Sequence, residues 1–188
     1  SMVAGYVTNG FEFQSVEIFQ QMRLAGMKPT NLTYAAVMKL CTVIQDLIFA
    51  QELHCLVLKS GLEFEQNVRI ALMVGYSKCN AMNDAFEIFS STNEETHDVV
   101  LWTAMISGYL QNGNAEKAVD LFRRMKKKGS VHPNEFTYST ILTAQPFISP
   151  YQVHAQAIKG NVEKSPTVGT ALLDAYVGIK EVEEASKV

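Results

Sequence analysis

The chain repeats itself, and this constrains its fold more than any other feature of the sequence. Four six-residue segments that end in tyrosine follow one pattern, and they occupy positions 1–6, 71–76, 104–109 and 171–176. Tyr76 and Tyr109 are 33 residues apart, and the other gaps are about twice as long. Self-similarity at a fixed period is typical of solenoid proteins, so we expect structural units of about 31 to 36 residues.

A second set of matches lies in the gaps between these segments. Residues 31–34 resemble 135–138, and residues 52–59 resemble 152–159, with four fewer residues separating the later two segments. The missing residues fall near Pro146 and Pro150, which are expected to end one helix and begin the next. The pattern therefore has a super-period of three units. We number these units as repeats 1 to 6, with the first and last incomplete: 1–30, 31–65, 66–98, 99–134, 135–165 and 166–188.

Each repeat is predicted to form two helices. In repeat 4, the apolar residues of 102–109 recur at helical spacing, those of 118–125 do so again, and Asn112-Gly113-Asn114 separates the two stripes. This spacing places Trp102 and the repeated tyrosines in the core. One pair of helices cannot bury both stripes alone, so each repeat must stack on its neighbours. The sequence therefore predicts an all-α fold, a right-handed α-α superhelix of helix-turn-helix repeats.

Composition indicates a folded protein that does not span a membrane, but it does not identify what the protein binds. The chain is 47% hydrophobic and 19% charged, which is typical of foldable sequences. No apolar run approaches the roughly 20 residues that span a bilayer, so we expect no membrane partner. A net charge of −3 does not indicate a nucleic-acid binder, although a solenoid can confine basic residues to one face. Cys41, Cys55 and Cys79 form no CxxC pair and are predicted to be buried thiols.

The repeat pattern resembles that of the pentatricopeptide repeat family. The Trp-x2-Leu-Gly-x2-Tyr core of tetratricopeptide repeats is absent, whereas residues 99–109, followed by 118–125 and by Pro133-Asn134, closely resemble a pentatricopeptide repeat. Repeats 1 and 4 are P-like, repeats 2 and 5 are L-like, with repeat 5 shortened, and repeats 3 and 6 are S-like. This order resembles the PLS subclass of plant organelle proteins, and the chain resembles an internal fragment of a longer protein of the RNA-editing type.

The resemblance implies sequence-specific binding of single-stranded RNA, at about one base per competent repeat. It further implies a role in organellar RNA processing, above all in recognising sites of cytidine-to-uridine editing in a mitochondrion or chloroplast. The His-x-Glu and Pro-Cys-x-x-Cys signature of zinc deaminases is absent, so we expect no enzyme activity, cofactor or metal in this segment. A transit peptide is expected outside it.

Two other binding modes follow from the same architecture. A helical scaffold can bind proteins, and the L-like repeats would then hold partners from the editing machinery. The chain begins and ends within predicted helices, so exposed end faces are also expected to favour self-association.

The expected base contacts lie at the starts of the first helices, because these helices line the concave face. The resemblance implies that the fifth and last residues of each repeat together read one base. The pairs are Thr103 with Asn134, Ile70 with Asp98, Ala35 with Glu65, and Ser139 with Ser165, while Thr30 and Thr170 are single members from incomplete repeats. The family code implies adenine for Thr103 with Asn134 and a purine for Thr170. Ile70 cannot hydrogen-bond, and the L-like pairs match no code, so those L-like repeats are expected to be spacers or partner surfaces.

The resemblance also implies that the second residue of each repeat sandwiches a base. These residues are Val100, Phe136, Leu32, Asn67 and Thr167. Lys78 matches a position that contacts phosphate, and a solvated surface lysine is the equal alternative. His54 and His154 occupy matching positions in second helices and are expected to pack rather than to bind metal. Residues 126–128, three lysines, are expected to be a solvated helix end.

Overall fold

The structure is a computed structural model that describes residues 2–181, and in this range it contains helices and turns but no β-strand. The first helices of the repeats are α1 (Met2–Thr8), α3 (Asn31–Ile44), α5 (Gln66–Lys78), α7 (Val99–Gln111), α9 (Glu135–Ile141) and α11 (Pro166–Gly178). The second helices are α2 (Glu12–Leu24), α4 (Leu47–Ser60), α6 (Met82–Ser90), α8 (Ala115–Lys128) and α10 (Pro150–Lys159).

Local sequence signals explain where these helices begin and end. Gly113 adopts a positive φ of 72° between α7 and α8, a conformation that glycine accepts without steric cost. Pro150 occupies the first turn of α10, where its missing N–H has no intrahelical acceptor to satisfy. Pro146 lies in the turn that follows α9, as predicted. The first helix of the shortened repeat 5 is itself short. It has 7 residues in α9, whereas the equivalent helix of repeat 2, α3, has 14.

Contacts divide the chain into an N-terminal unit, Ser1–Thr92, and a C-terminal unit, Asn93–Val188. In the N-terminal unit, α1 packs on α3 and α3 packs on α5, so the first helices form a continuous layer. In the C-terminal unit, α7, α9 and α11 pack in the same order. Each of α2, α4, α8 and α10 contacts its own first helix and the first helix of the next repeat. A repeat thus completes its core only with its neighbour.

The predicted core residues are buried in both units. Trp102 has no exposed surface, and Tyr76, Tyr109 and Tyr176 are also buried, while Tyr6 near the chain start is half-buried. Burial of large aromatic side chains supplies much of the hydrophobic stabilisation of such layers. The interpretation of these rings as core is confirmed, and they are not available to stack on a base.

A histidine–tyrosine pair joins neighbouring repeats at two equivalent places. The Nδ1 atom of His54 lies 3.0 Å from the hydroxyl of Tyr76, and that of His154 lies 2.9 Å from the hydroxyl of Tyr176. The rings also meet edge to face, at centroid distances of 5.6 and 5.8 Å. Each pair connects the second helix of an L-like repeat to the first helix of the next repeat. The two histidines therefore pack as expected.

The cysteines differ from the prediction. Cys41 is buried, and burial raises the pKa of its thiol to about 12, but Cys79 is half-buried and Cys55 is exposed. Cys55 is wrong as a buried thiol because it lies on the outer side of α4, whereas Leu53 and Val57 of the same helix face the core.

Two kinds of site are not found in the described part of the chain. Between residues 2 and 181, no helix is both long and apolar enough to cross a membrane. In the same range, no three side chains of histidine, cysteine, aspartate or glutamate cluster in a way that could hold a metal ion.

The His54–Tyr76 pair predicts a pH-dependent stability of the N-terminal unit. Burial lowers the pKa of His54, and the nearby Asp84 and Glu63 only partly oppose this shift. The folded state therefore prefers the neutral ring, so stability is complete above the unfolded pKa of about 6.5 and falls as the pH drops below it. Thermal unfolding of His54→Gln between about pH 7.5 and 5.5 should show a smaller loss of Tm than the parent chain. Parallel Tm curves for the two proteins would contradict this assignment.

Candidate nucleic-acid interface

The last residue of each repeat stands immediately before the first helix of the next repeat, in the N-cap position. This holds for all five repeat boundaries within residues 2–181, namely Thr30, Glu65, Asp98, Asn134 and Ser165. The first N–H groups of a helix have no intrahelical acceptor, so an N-cap side chain that accepts a hydrogen bond stabilises the helix. Folding thus fixes the position of the residue expected to read a base.

Three of these five residues cap the following helix with their side chains. Thr33 N–H donates to Thr30 Oγ1, Leu101 N–H donates to Asp98 Oδ1 at 2.9 Å, and Thr137 N–H donates to Asn134 Oδ1 at 3.0 Å. Thr30 and Asn134 form a full capping box with the threonine three residues later. Glu65 and Ser165, which close the two L-like repeats, make no such bond.

The structure brings Thr103 and Asn134 together through a third residue, Thr137. The Oγ1 atoms of Thr103 and Thr137 are 2.8 Å apart, and the Thr137 hydroxyl lies 2.9 Å from Asn134 Oδ1. Thr137 is fully buried, so this bridge is shielded from water and holds both partners in place. The predicted pair in repeat 4 is therefore a connected polar site.

The hydrogen bonds also fix which polar groups this site presents. Asn134 Oδ1 accepts from Thr137, whereas its Nδ2 donates to no protein group within residues 2–181 and is available as a donor. The Thr103 hydroxyl has two acceptors inside the protein, the carbonyl of Val99 at 2.7 Å and Thr137 Oγ1. Its single hydrogen is donated to one of these two groups, so toward any further group the Thr103 oxygen can only accept. The site thus offers one donor beside one acceptor.

The closing residues of the L-like repeats are held in another way. Asn31 Nδ2 donates to Glu65 Oε2 at 3.2 Å, and the Ser165 hydroxyl donates to Glu135 Oε2 at 2.5 Å. In both repeats the first residue binds the last. The fifth residues, Ala35 and Ser139, take no part in these bonds, and the Ser139 hydroxyl donates to the carbonyl of Phe136.

The remaining predicted readers belong to different units or to incomplete repeats. Ile70 is half-buried in the N-terminal unit, and Asp98 caps α7 in the C-terminal unit. Thr170 is exposed, and its hydroxyl donates to the carbonyl of Pro166. The closing residue of repeat 6 lies beyond the described range.

The five residues expected to stack on bases are all exposed at the starts of first helices. The exposed fractions are 49% for Val100, 57% for Phe136 and 59% for Leu32, and Asn67 and Thr167 are exposed as well. Val100 and Phe136 occur in the two repeats that meet at the Thr103–Asn134 site.

The lysines singled out from the sequence have different surroundings. Lys78 ends α5, is half-buried and forms no ion pair with any residue between 2 and 181. Of the three lysines at 126–128, Lys128 lies 3.3 Å from Glu94, which also pairs with Arg124. Lys126 is exposed, and its pKa is lowered by partial burial and by the nearby Lys159. The helix end is thus only partly a solvated surface.

Sequence reasoning missed Thr137 and the equivalent Thr33. A local signal was present, because a residue able to cap a helix followed three positions later by threonine occurs at both Thr30 and Asn134. The link from Thr137 to Thr103 spans 34 residues and could be found only in three dimensions.

Comparisons with known proteins agree with this architecture. A model of the PPR repeat family matches residues 97–144, and a model of the pentatricopeptide repeat domain matches residues 1–43. A pentatricopeptide repeat-containing protein of Arabidopsis thaliana is 55% identical over 188 residues, covering 100% of this chain and 21% of the relative. A second such Arabidopsis protein is 35% identical over 192 residues, covering 100% of this chain and 26% of the relative. A third, named as chloroplastic, is 31% identical over 192 residues, covering 100% and 31%.

The chain belongs to the pentatricopeptide repeat family. It spans only about a fifth to a third of the length of these relatives. The crystal structure of the pentatricopeptide repeat protein PPR10 in complex with an 18-nt psaJ RNA element matches with a TM-score of 0.70 and 18% identity, covering 98% of this chain and 26% of that chain. This likeness shows that the chain has the all-α solenoid fold of helix-turn-helix repeats that its sequence predicts.

Thr137→Val should separate the bridging role of Thr137 from its capping role. The substitution keeps the shape but removes the hydroxyl, and loss of buried hydrogen bonds should lower the free energy of unfolding by about 1 to 2 kcal/mol. Thr33→Val is the matched control, since Thr33 has the same capping box but no link to a fifth residue. Chemical denaturation should show similar losses for both variants, and only Thr137→Val should alter the environment of Thr103 in an NMR spectrum. An unchanged Thr103 signal would contradict the bridge.

Proposed function

We propose that this chain is a sequence-specific, single-stranded RNA-binding module in which repeat 4 supplies the main base-reading site. The observation that carries the proposal is the chain of hydrogen bonds from Thr103 through the buried Thr137 to Asn134. Pre-organised polar groups of this kind bind a base edge without first having to be ordered. The 18-nt RNA bound by PPR10, a protein of the same fold, supports RNA as the ligand.

The polarity of the site matches one edge of adenine. Asn134 Nδ2 is a free donor, and Thr103 offers an acceptor. Adenine presents its N6 amino donor beside a ring-nitrogen acceptor, whereas the O6 and N7 atoms of guanine are both acceptors. On that edge the site complements adenine and leaves one group unmatched against guanine, in agreement with the family code. The Watson–Crick edge of every base offers both a donor and an acceptor, so the preference depends on which edge faces the site.

The exposed apolar residues on both sides of this site complete the proposed pocket. Val100 belongs to the same helix as Thr103, and Phe136 follows Asn134 by two residues. We assign to them the faces of the same base. An aromatic stack contributes about 1–3 kcal/mol per base, and valine contributes less.

The cellular role we propose is recognition of transcripts for organellar RNA processing, most specifically of cytidine-to-uridine editing sites. Two arguments support it: the order of the repeats resembles that of the PLS subclass, and several relatives are named as chloroplastic or mitochondrial. Any chemistry on the RNA would come from another part of a longer protein, because the proposed role of this segment is recognition.

A second candidate function is a scaffold for protein partners, including proteins of the editing machinery. One observation favours it: an open groove of about 310 Å³ in the N-terminal unit is lined mainly by apolar side chains. Phe13, Val16, Leu40, Ile44 and Phe49 line it, and Phe13 is 87% exposed. A second copy of the chain can also occupy this groove. The resulting dimers would be detected by size-exclusion chromatography.

Thr103→Asn tests the RNA-reading proposal directly. The substitution replaces a hydroxyl by an amide with its own donors, so preference at one nucleotide should shift from purine toward pyrimidine by about tenfold in relative Kd. Binding is measured on RNAs that differ only at that nucleotide. Thr143→Asn is the matched control, because Thr143 is exposed in the turn after α9 and its hydroxyl donates to the carbonyl of Thr140.

A salt titration in the same assay distinguishes the two candidate functions. Affinity for RNA should fall steeply as salt rises, because phosphate contacts release counterions, whereas an apolar protein groove is much less sensitive. Unchanged base selectivity in Thr103→Asn, or no RNA binding at low salt, would favour the scaffold.

A further inference from the structure

The first residue of each repeat lies one helical turn before the fifth, on the same side of the first helix. The identity of this first residue varies with that of the fifth. In repeats 4 and 6 the first residue is apolar, Val99 or Pro166, and the fifth is threonine. In the L-like repeats the first residue is polar and the fifth is alanine or serine.

The contacts explain this pattern. In the two L-like repeats the side chain of the polar first residue reaches the closing residue of its own repeat, as in Glu135 with Ser165 and Asn31 with Glu65. Two L-like repeats in separate units of the chain make the equivalent bond with different residue types. The arrangement is therefore a recurring feature of the L-like repeats.

Repeat 4 shows the opposite case. Val99 has no side-chain hydrogen-bonding group, so it cannot occupy Asn134, and the Nδ2 donor of Asn134 has no partner within residues 2–181. In repeat 5, the single hydroxyl hydrogen of Ser165 is already donated to Glu135. A base edge placed there would find no donor and would face a carboxylate instead.

We infer that the first residue of a repeat decides whether the repeat reads a base, and that Glu135 silences repeat 5 by occupying its closing residue. This inference rests on the proposed function. It makes Glu135 and Asn31 specificity-determining residues that act on the closing residue, without touching RNA themselves. It also makes repeat 5 a latent reading site, because an apolar residue at position 135 would release Ser165.

The test grafts the reading residues of repeat 4 into repeat 5 of the full-length protein. Both variants carry Ser139→Thr, Ser165→Asn and Val168→Thr, the last of which supplies the buried hydroxyl equivalent to Thr137. The second variant adds Glu135→Val, which copies Val99. Binding is measured on RNAs that vary only at the nucleotide next to the one read by repeat 4. The second variant should prefer adenine there by about fivefold to tenfold, the gain expected from one base contact. The first should show no preference, because Glu135 accepts the amide hydrogens of the new asparagine.

Controls separate occupancy of the closing residue from charge and stability. Glu135→Gln keeps an acceptor without the charge and should leave the grafted repeat silent. Glu116→Val removes an exposed carboxylate from the first turn of α8 and should not change selectivity at this nucleotide. Should Glu135→Val unfold the protein, Glu135→Ala replaces it and carries the same expectation.

The outcomes for this inference and for the proposed function are distinct. The parent protein's selectivity at the nucleotide of repeat 4 reports on the proposed function, and its absence would overturn both. With that selectivity present, equal adenine preference in the two grafted variants, or none in either, would overturn the role of Glu135 alone.

Discussion

The four N–H groups at the start of every first helix have no acceptor within the helix, and the residue before the helix must help to satisfy them. In this chain that residue is also the last residue of the preceding repeat. Thr30, Asp98 and Asn134 accept from the third N–H of the next helix, which fixes each side chain at the junction of two repeats. A requirement of helix formation thereby positions the groups that we assign to RNA.

Stacking of first helices then determines which junctions become connected sites. In the C-terminal unit, α7 packs on α9, and this contact brings Thr103 of one repeat against Thr137 of the next. The two histidine–tyrosine pairs fasten a second helix to the following first helix in both units. The site that we propose to read a base is therefore formed by two adjacent repeats, since neither repeat contains all of its atoms.

Periodicity allowed the helix pairs, the shortening of repeat 5 and the buried Trp102 to be predicted from sequence, because apolar spacing and prolines act locally. The family resemblance predicted that Thr103 and Asn134 belong together. It could not show that Thr137 joins them, nor that Glu135 binds Ser165, because both contacts connect residues about one repeat apart. Cys55 was misplaced because its neighbours in α4 are buried, and only the helix's orientation decides which side faces solvent.

The N-cap role of the closing residue restricts which residue types are favoured at that position. Serine, threonine, asparagine and aspartate cap helices well, and replacing one of them by alanine costs about 1 kcal/mol. Thr30, Asp98 and Asn134 belong to this set, whereas Glu65 does not and leaves its helix uncapped by a side chain. A substitution at this position therefore changes the stability of the next helix as well as the base contact that we propose. Residue types that cap helices poorly are disfavoured there for this reason.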